Sequence, residues 1–252
     1  MNAPKPAKTA ACQEPKADQT KHAMMRTAST INPRWRIASF DLDGTLIVGT
    51  TSGAHLAARL GHAEGMRAME ARYGRGEVGN REVAEFDAQH FRGLDAADID
   101  AMLAEIPLIP GITETVAQLR AAGVLPVINT LAWDVVAESI ARRFGFLAWS
   151  GPRLARGPDG RFTGEVAAHF EAEDKCVFLR GLCEQHQVAP DAVLHVGDSR
   201  SDLPAFGFVG LGIAFNAGAQ ARAAAHRSLQ GHSLAYVLGM LADEAQTLPA
   251  DR

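Results

Sequence analysis

Two carboxylates one residue apart, Asp41 and Asp43, follow a short apolar segment directly and precede a glycine, Gly44. Alternate residues of an extended chain point to the same side, so the pattern predicts that both carboxylates converge on one point. Gly44 has no Cβ, which predicts a close approach between the backbone and a ligand. Converging carboxylates suit a hard cation and a covalent step. The alternative is a surface loop whose acids cap the following helix.

The apolar segment at residues 36–40 predicts a buried strand, because it is short and a turn signal follows it. Three further pieces follow along the chain: a strand that ends in Asn129 and Thr130, a helix that begins with Asp174 and Lys175, and a strand that leads into Gly197, Asp198 and Asp202. Each reactive side chain therefore stands at the carboxyl end of a predicted strand or beside it. Open α/β sheets bind their ligands at that edge.

Taken together, these motifs resemble the haloacid dehalogenase-like (HAD) superfamily, and within it the phosphoserine-phosphatase-like branch. The similarity extends from about residue 37 to about residue 226. It includes residues 110–114 before the second motif, a hairpin at 159–164 before the lysine, and a strand and loop at 210–216. The resemblance is specific for the family and much less so for the substrate.

Strand–helix alternation and the resemblance both predict an α/β fold, with a Rossmann-like parallel sheet in a three-layer α/β/α core. Helical periodicity at residues 52–60, 63–73, 80–91 and 95–105 predicts a helical cap inserted after the first strand, with Asn80 and Asp95 as N-caps. Core elements are expected at residues 112–122, 124–130, 133–144, 146–149, 174–186 and 192–196, with a final strand near 211. The predicted division is a disordered tail at 1–34, a core at 35–47 and 108–252, and a cap at 48–107.

The resemblance implies a Mg2+-dependent phosphatase that hydrolyses a small phosphorylated metabolite through an aspartyl-phosphate. Asp41 would be the nucleophile and Asp43 the general acid and base. Thr130 and Lys175 would bind the phosphoryl group, together with the backbone amides of Gly44 and residue 131. A lysine in the first turn of a helix opposes the helix dipole, so Lys175 needs an anion nearby.

Mg2+ is the expected cofactor, because a phosphate monoester that meets several carboxylates needs a hard cation with oxygen ligands. The implied ligands are the Asp41 carboxylate, the Asp43 backbone carbonyl and the Asp198 carboxylate. Asp202 would stand among these ligands or directly behind them.

The sequence departs from the usual motifs of this branch at positions that bear on which substrate is bound. The branch usually carries Ser-Gly-Gly after its second strand, whereas this chain has Thr130, Leu131 and Ala132, so the loop should differ in shape. An ungapped count puts Thr50 where the branch has an acid for the serine amine, and Asp87 where it has an arginine for the serine carboxylate. Either that count is shifted or L-phosphoserine is not the main substrate.

Two other functions stay open. A phosphotransferase would use the same aspartyl-phosphate and pass the phosphoryl group to an alcohol. A non-catalytic phosphate-binding regulatory protein would have kept the fold without turnover, although the full set of acids and Lys175 argues against it. A dehalogenase is disfavoured, because it does not need Asp43.

Bulk properties exclude several classes of partner. The chain has 252 residues, 47% of them hydrophobic, which is enough for one domain with an insertion or for two small domains. Its formal charge of -4 gives no general attraction to nucleic acid or to anionic membranes. No segment has the apolar length that spans a bilayer. The expected partner, a small-molecule phosphate ester, is what the resemblance implies.

The first 36 residues carry seven basic and two acidic residues without apolar periodicity. This composition predicts a disordered tail rather than a secretory signal. The chain has three cysteines, Cys12, Cys176 and Cys183, and an odd count with one in the tail predicts no disulfide framework. The expected compartment is the reducing cytoplasm.

Overall fold

Six parallel strands form the central sheet in a computed structural model, which describes residues 31–243. The strands, in chain order, are β1 (Ile37–Phe40), β2 (Leu125–Asn129), β3 (Ala148–Ser150), β4 (Arg153–Arg156), β5 (Phe162–Ala168), β6 (Val193–Gly197), β7 (Leu211–Phe215) and β8 (Arg227–Leu229). The central sheet has the order β3-β2-β1-β6-β7-β8, and β4 pairs with β5 in a separate antiparallel hairpin.

The central position of β1 determines where the site forms. Phe40 pairs in parallel register with Ile128 of β2 and with Val196 of β6. Because the three strands end in register, the residues after Phe40, Asn129 and Gly197 emerge at the same edge of the sheet. This is the edge at which the sequence places the reactive side chains.

Four helices lie between β1 and β2: α1 (Ser52–Leu60), α2 (Ala63–Gly74), α3 (Asn80–Ala88) and α4 (Ala96–Met102). A 3-10 turn, Gln89–Phe91, continues α3. Asp95 caps α4 as predicted, with its side chain accepting from the amides of Ala97 and Asp98. These helices form the inserted cap that the pattern predicts.

The predicted N-cap at Asn80 is wrong. Gly79 is the N-cap of α3, and Asn80 is the first residue of the helix. The carboxylate of Glu171, from the segment before the next core helix, accepts from the amides of Asn80 (3.0 Å) and Arg81 (2.7 Å). A helix N-terminus needs acceptors for its first amides, and here a residue distant in sequence supplies them.

The remaining helices are α5 (Ile112–Ala121), α6 (Asp134–Phe144), α7 (Asp174–His186), α8 (Leu203–Phe208), α9 (Ala219–Ala224) and α10 (Tyr236–Asp243). Alternate strand residues pack on opposite faces of the sheet. Phe40 and Ile128 belong to the same buried cluster as residues of α5 and α6, whereas Ile37 and Val127 pack with Leu179 of α7. Helices therefore cover both faces, and the predicted three-layer α/β/α fold is confirmed.

Some predicted boundaries are wrong or untested. The strand near residue 211 is not the last, because β8 adds an edge strand whose short sequence has no apolar run. Of the predicted tail at 1–34, residues 1–30 lie outside the described part of the chain, as do Cys12 and residues 244–252. Ile31 and Asn32, which the prediction assigns to the tail, are buried. Cys176 and Cys183 are free thiols, and within residues 31–243 no helix combines the length and the apolarity needed to cross a membrane.

Candidate active site

Lys175 lies completely buried beneath the carboxyl edge of the sheet, in the first turn of α7. Its Nζ atom is 2.6 Å from Asp202 Oδ1 and 3.1 Å from Asp41 Oδ1. It also donates to Ser201 Oγ at 3.3 Å. Burial lowers the pKa of the Lys175 ammonium, but the two carboxylates raise it by more, so the pKa lies above its ordinary value. The carboxylates of Asp41 and Asp202 both supply the anion that was predicted near this helix start.

Asp41 occupies the first position after β1, and its backbone amide donates to Val196 O at 2.8 Å. Its Oδ1 atom accepts from the amide of Leu42 and faces Lys175. Burial and the neighbouring Asp202 raise the pKa of Asp41 to about 6, while Lys175 acts in the opposite direction. Asp41 is thus a buried carboxylate held between a cation and other acids.

Asp198 follows β6 and brings a third carboxylate to this point. One oxygen each of Asp41, Asp198 and Asp202 lie within 4.8 Å of one another. The Oδ1 atom of Asp198 is buried and has no hydrogen-bond partner in the described part of the chain. Burial and the neighbouring carboxylates of Asp41 and Asp202 together raise the pKa of Asp198 to about 8. An orphaned carboxylate oxygen among other carboxylates fits a divalent cation with oxygen ligands.

Gly44 makes room for this carboxylate. Its φ is +82°, and a Cβ atom at this position would overlap the Asp198 carboxylate. Its amide, which is predicted to bind phosphate, donates to Ile47 O at 2.9 Å in the structure. The chain turns back on itself after Asp43, so the turn itself consumes the donor.

Asp202 lies behind the cluster rather than at its surface, because all its hydrogen-bonding capacity is directed into the protein. Its Oδ1 atom accepts from Lys175 and from His195 Nε2 (2.9 Å). Its Oδ2 atom accepts from the amides of Asp198 and Ser199, both at 3.1 Å. Burial raises the pKa of Asp202, but Lys175 and His195 lower it by more, so the carboxylate is held ionised. Of the two positions predicted for Asp202, this geometry favours the one behind the predicted metal ligands.

Asp43 lines the same cavity as Asp41, but its carboxylate bonds to a cap helix and lies outside the cluster of Asp41, Asp198 and Asp202. The strand ends at Phe40, so the alternation of an extended chain does not extend to residue 43. The Asp43 carboxylate instead accepts from the amide (2.6 Å) and the hydroxyl (2.8 Å) of Ser52, the first residue of α1. Burial and, to a smaller extent, Glu70 raise the pKa of Asp43, the two Ser52 hydrogen bonds lower it, and the net pKa is about 6.

Thr130 is buried in the loop after β2, where its Oγ1 atom accepts from the amide of Ala132 at 3.1 Å. This contact leaves the hydroxyl proton free to be donated. Thr130, Asp41, Asp43 and Asp198 all line one cavity of about 360 Å³ between the cap and the sheet edge.

Side chains of the cap form the other wall of this cavity. Thr50 and Asp87, which the ungapped count singles out, both line it. Asp87 is buried and accepts from His62 Nε2 and Trp133 Nε1, each at 2.7 Å. Glu70 also lines the cavity, and its Oε1 atom accepts a short hydrogen bond from Thr51 Oγ1.

Sequence reasoning missed several supporting residues. His195 is buried in β6 and bridges Ser39 Oγ (2.9 Å) and Asp202. Asn129 donates to the backbone carbonyl of Lys175 at 3.1 Å and so fixes the start of α7. Both are polar residues within predicted buried strands, and a buried polar side chain must find a partner. That signal was present in the sequence, whereas nothing in it singled out Glu70.

Comparison with known proteins agrees with the geometry. A family model for haloacid dehalogenase-like hydrolases matches residues 38–207. A phosphoserine phosphatase of Halobacterium salinarum is 30% identical over 179 residues, which are 70% of this chain and 84% of that protein. Phosphoserine phosphatase SerB2 of Mycobacterium tuberculosis is 31% identical over 209 residues, 82% of this chain and 50% of that protein.

The chain spans only about half the length of some relatives that it matches, 56% for a phosphoserine phosphatase of Archaeoglobus fulgidus. Among solved structures, a phospho-aspartyl intermediate analogue of phosphoserine phosphatase superimposes with a TM-score of 0.71. That match covers 82% of this chain and 98% of the other at 20% identity, and it establishes the fold.

Proposed function

The chain belongs to the haloacid dehalogenase-like hydrolase family, in its phosphoserine-phosphatase-like branch, and we propose that it is a Mg2+-dependent phosphatase of a small phosphorylated metabolite. One observation carries the proposal: a fully buried ammonium, Lys175, contacts the Asp41 carboxylate at 3.1 Å at the edge of a cavity. A buried cation beside a carboxylate at a ligand-binding edge suits the charge of a phosphoryl group. The phosphoserine phosphatases to which the chain is similar support the same reaction class.

In the proposed first step, an Asp41 oxygen forms a bond to phosphorus while the bond from phosphorus to the ester oxygen breaks. Asp43 gives its proton to the departing alcohol. A pKa raised to about 6 leaves part of the Asp43 population protonated near neutral pH. In the second step Asp43 takes a proton from water, the water oxygen bonds to phosphorus, and Asp41 leaves as a free carboxylate with inorganic phosphate as the product.

Lys175 and Thr130 stabilise the transferring group in this scheme. Lys175 balances the negative charge shared by Asp41 and the phosphoryl oxygens, and Asp202 holds it in position at 2.6 Å. The Thr130 hydroxyl donates to a phosphoryl oxygen, since its acceptor side is already used by Ala132. Mg2+ would be held by the carboxylates of Asp41 and Asp198 and by the Asp43 carbonyl, and when bound it would neutralise charge on the phosphate.

The test is hydrolysis of a generic aryl phosphate, followed by released phosphate. We expect turnover with Mg2+, loss of turnover with EDTA, and recovery when Mg2+ is restored. Asp41→Asn should abolish activity, whereas Asp191→Asn, an exposed acid outside the cavity, should not alter it. Full activity of Asp41→Asn would refute the covalent mechanism.

Rapid quenching adds a direct assay of the intermediate. Mass spectrometry should find the phosphoryl label on the peptide that contains Asp41, and label on any other residue would exclude this nucleophile. Product analysis in the presence of alcohol acceptors separates hydrolysis from phosphotransfer, because only transfer gives a new phosphate ester. We also propose that the enzyme acts in the cytoplasm, which the free thiols of Cys176 and Cys183 support.

A further inference from the structure

The cavity above the proposed reacting carboxylates is lined by acidic side chains, and no basic side chain of the described lining balances their negative charge. Within residues 31–243, no lysine, arginine or histidine is among the residues that line it. Asp41, Asp43 and Asp198 belong to the proposed reaction, and two more acids, Glu70 and Asp87, come from the cap. The question is which of the two cap acids is available to a substrate.

Asp87 is not available. One of its oxygens accepts from His62 and the other from Trp133, each at 2.7 Å, and the side chain is buried. Both contacts are internal, so this carboxylate serves to hold the cap against the loop that carries Trp133. A ligand could reach it only by displacing a buried hydrogen bond, which is unfavourable.

Glu70 is available. Its Oε1 atom accepts from Thr51, which in turn caps α1, so the side chain has a fixed orientation. Its Oε2 atom has no hydrogen bond or ion pair to the described residues. Burial raises the pKa of Glu70, the Thr51 hydroxyl lowers it, and the nearby Asp87 raises it. A cationic group bound at Oε2 would relieve this accumulation of negative charge.

Two cations of the protein, Lys175 and Arg200, lie near the cavity but do not line it. Lys175 is buried against Asp41 and Asp202. The Arg200 guanidinium stacks on the Tyr73 ring, 4.0 Å from its centroid, and is not part of the lining. A substrate carboxylate would therefore meet five acids, neutral polar groups and apolar groups in the described lining, but no cation to balance its charge, and burying a charge without a partner is costly.

We propose that the substrate is the phosphate monoester of an amino alcohol, with a cationic amine and no carboxylate, and that Glu70 binds the amine. The proposal rests on the proposed phosphatase function. Apolar side chains of the cavity wall, Met66, Val83 and Leu131, accommodate the carbon chain between the phosphate and the amine.

The test compares kcat/KM for matched pairs of esters. Each pair joins an aminoalkyl phosphate of two, three or four carbons to the hydroxyalkyl phosphate of the same length, and O-phosphoserine is compared with its decarboxylated analogue, O-phosphoethanolamine. We expect an amine preference of about 10- to 100-fold in at least one pair, the range for a hydrogen bond to a charged group. O-phosphoethanolamine should also exceed O-phosphoserine.

The matched variants are Glu70→Gln and Glu64→Gln. Glutamine keeps an acceptor for Thr51 but removes the charge, so the amine preference should fall to within about threefold of unity. Glu64 is an exposed glutamate of the same helix, α2, and its variant should keep the wild-type ratio.

An equal rate for both members of every pair, a preference for O-phosphoserine, or a preference unchanged in Glu70→Gln would each overturn the inference. In those three cases hydrolysis of the aryl phosphate leaves the proposed function standing. If no ester at all is hydrolysed, the aryl phosphate included, the proposed function fails and the inference fails with it.

Discussion

The buried pair of Lys175 and Asp202 should be among the strongest single interactions of the fold. Their charged atoms are 2.6 Å apart, and neither side chain is exposed to solvent. With an effective dielectric constant of about 20, two unit charges at this distance attract by about 6 kcal/mol before desolvation is counted. Removal of one partner from a buried pair costs about 3–5 kcal/mol, because the other charge remains buried without compensation. We expect Lys175→Met to lose that amount of unfolding free energy.

A double-mutant cycle measures the interaction directly. Urea unfolding of the wild type, Lys175→Met, Asp202→Asn and the double variant, all in EDTA, should give a coupling energy of about 3 kcal/mol. The matched control is the Arg142–Asp100 pair, which has nearly the same separation, 2.7 Å, but side chains that are 53% and 42% exposed. Its cycle should give less than about 1 kcal/mol.

Comparison of the two cycles shows whether burial or the distance between the charges determines the coupling energy. Similar coupling energies in both pairs would refute the reasoning, because the separations are nearly equal and only the exposure differs. A coupling below about 1 kcal/mol for Lys175 and Asp202 would show that the network of other donors around Asp202 replaces the ammonium.

Three other predictions follow from single sites. Gly44→Ala should lower the free energy of unfolding in urea by more than about 2 kcal/mol, because Gly44 has a φ of 82° and an added Cβ would overlap the Asp198 carboxylate. The control is Gly49→Ala, which should lower it by about 1 kcal/mol, since Gly49 has a φ of 75° but open space around it. Equal losses in the two variants would contradict this reasoning. Trp133→Phe should cost about 1–3 kcal/mol in the same assay, because it leaves one buried oxygen of Asp87 without its donor; an unchanged midpoint would be inconsistent with that bond. Burial raises the pKa of Asp134 from 3.8 to about 6, so its protonated form stabilises the fold at low pH and that contribution disappears as the pH rises through 6. Thermal midpoints should therefore favour Asp134→Asn over the wild type at pH 7 more than at pH 4, and the reverse order would show that the sign is wrong.

The sequence predicted where the reactive groups lie better than it predicted their contacts. Strand ends are set by local patterns, and parallel strands in register bring their carboxyl ends to one edge. This is why Asp41, Asp198 and Lys175, up to 157 positions apart in the chain, could be expected at one point and are found there. The cap helix α1 was likewise predicted with its observed bounds, Ser52–Leu60, because its apolar spacing and its cap are local signals.

Contacts made across the fold could not be predicted in this way. Glu171 accepts hydrogen bonds from the amides at the start of α3, although it lies 91 positions from Asn80 in the chain. No local sequence pattern predicts a contact over that separation. The Gly44 amide was expected to be free, yet the turn that places Asp43 uses it. β8 is only three residues long and contains no apolar run. It therefore lacks the hydrophobic periodicity by which a strand is recognised in a sequence.

Asp43 links the proposed chemistry to the cap. The residue that is proposed to exchange a proton with the substrate is held at both oxygens by Ser52, the first residue of the first cap helix. Burial alone would raise its pKa further, and the two Ser52 hydrogen bonds keep it at about 6. Displacement of α1 would remove those bonds and expose the carboxylate at the same time. The pKa of Asp43 therefore depends on the position of α1, and the N-cap of that helix, Thr51, also contacts Glu70. The proposed substrate binding by the cap and the proposed proton transfer at the sheet edge would thus act through one segment of the chain.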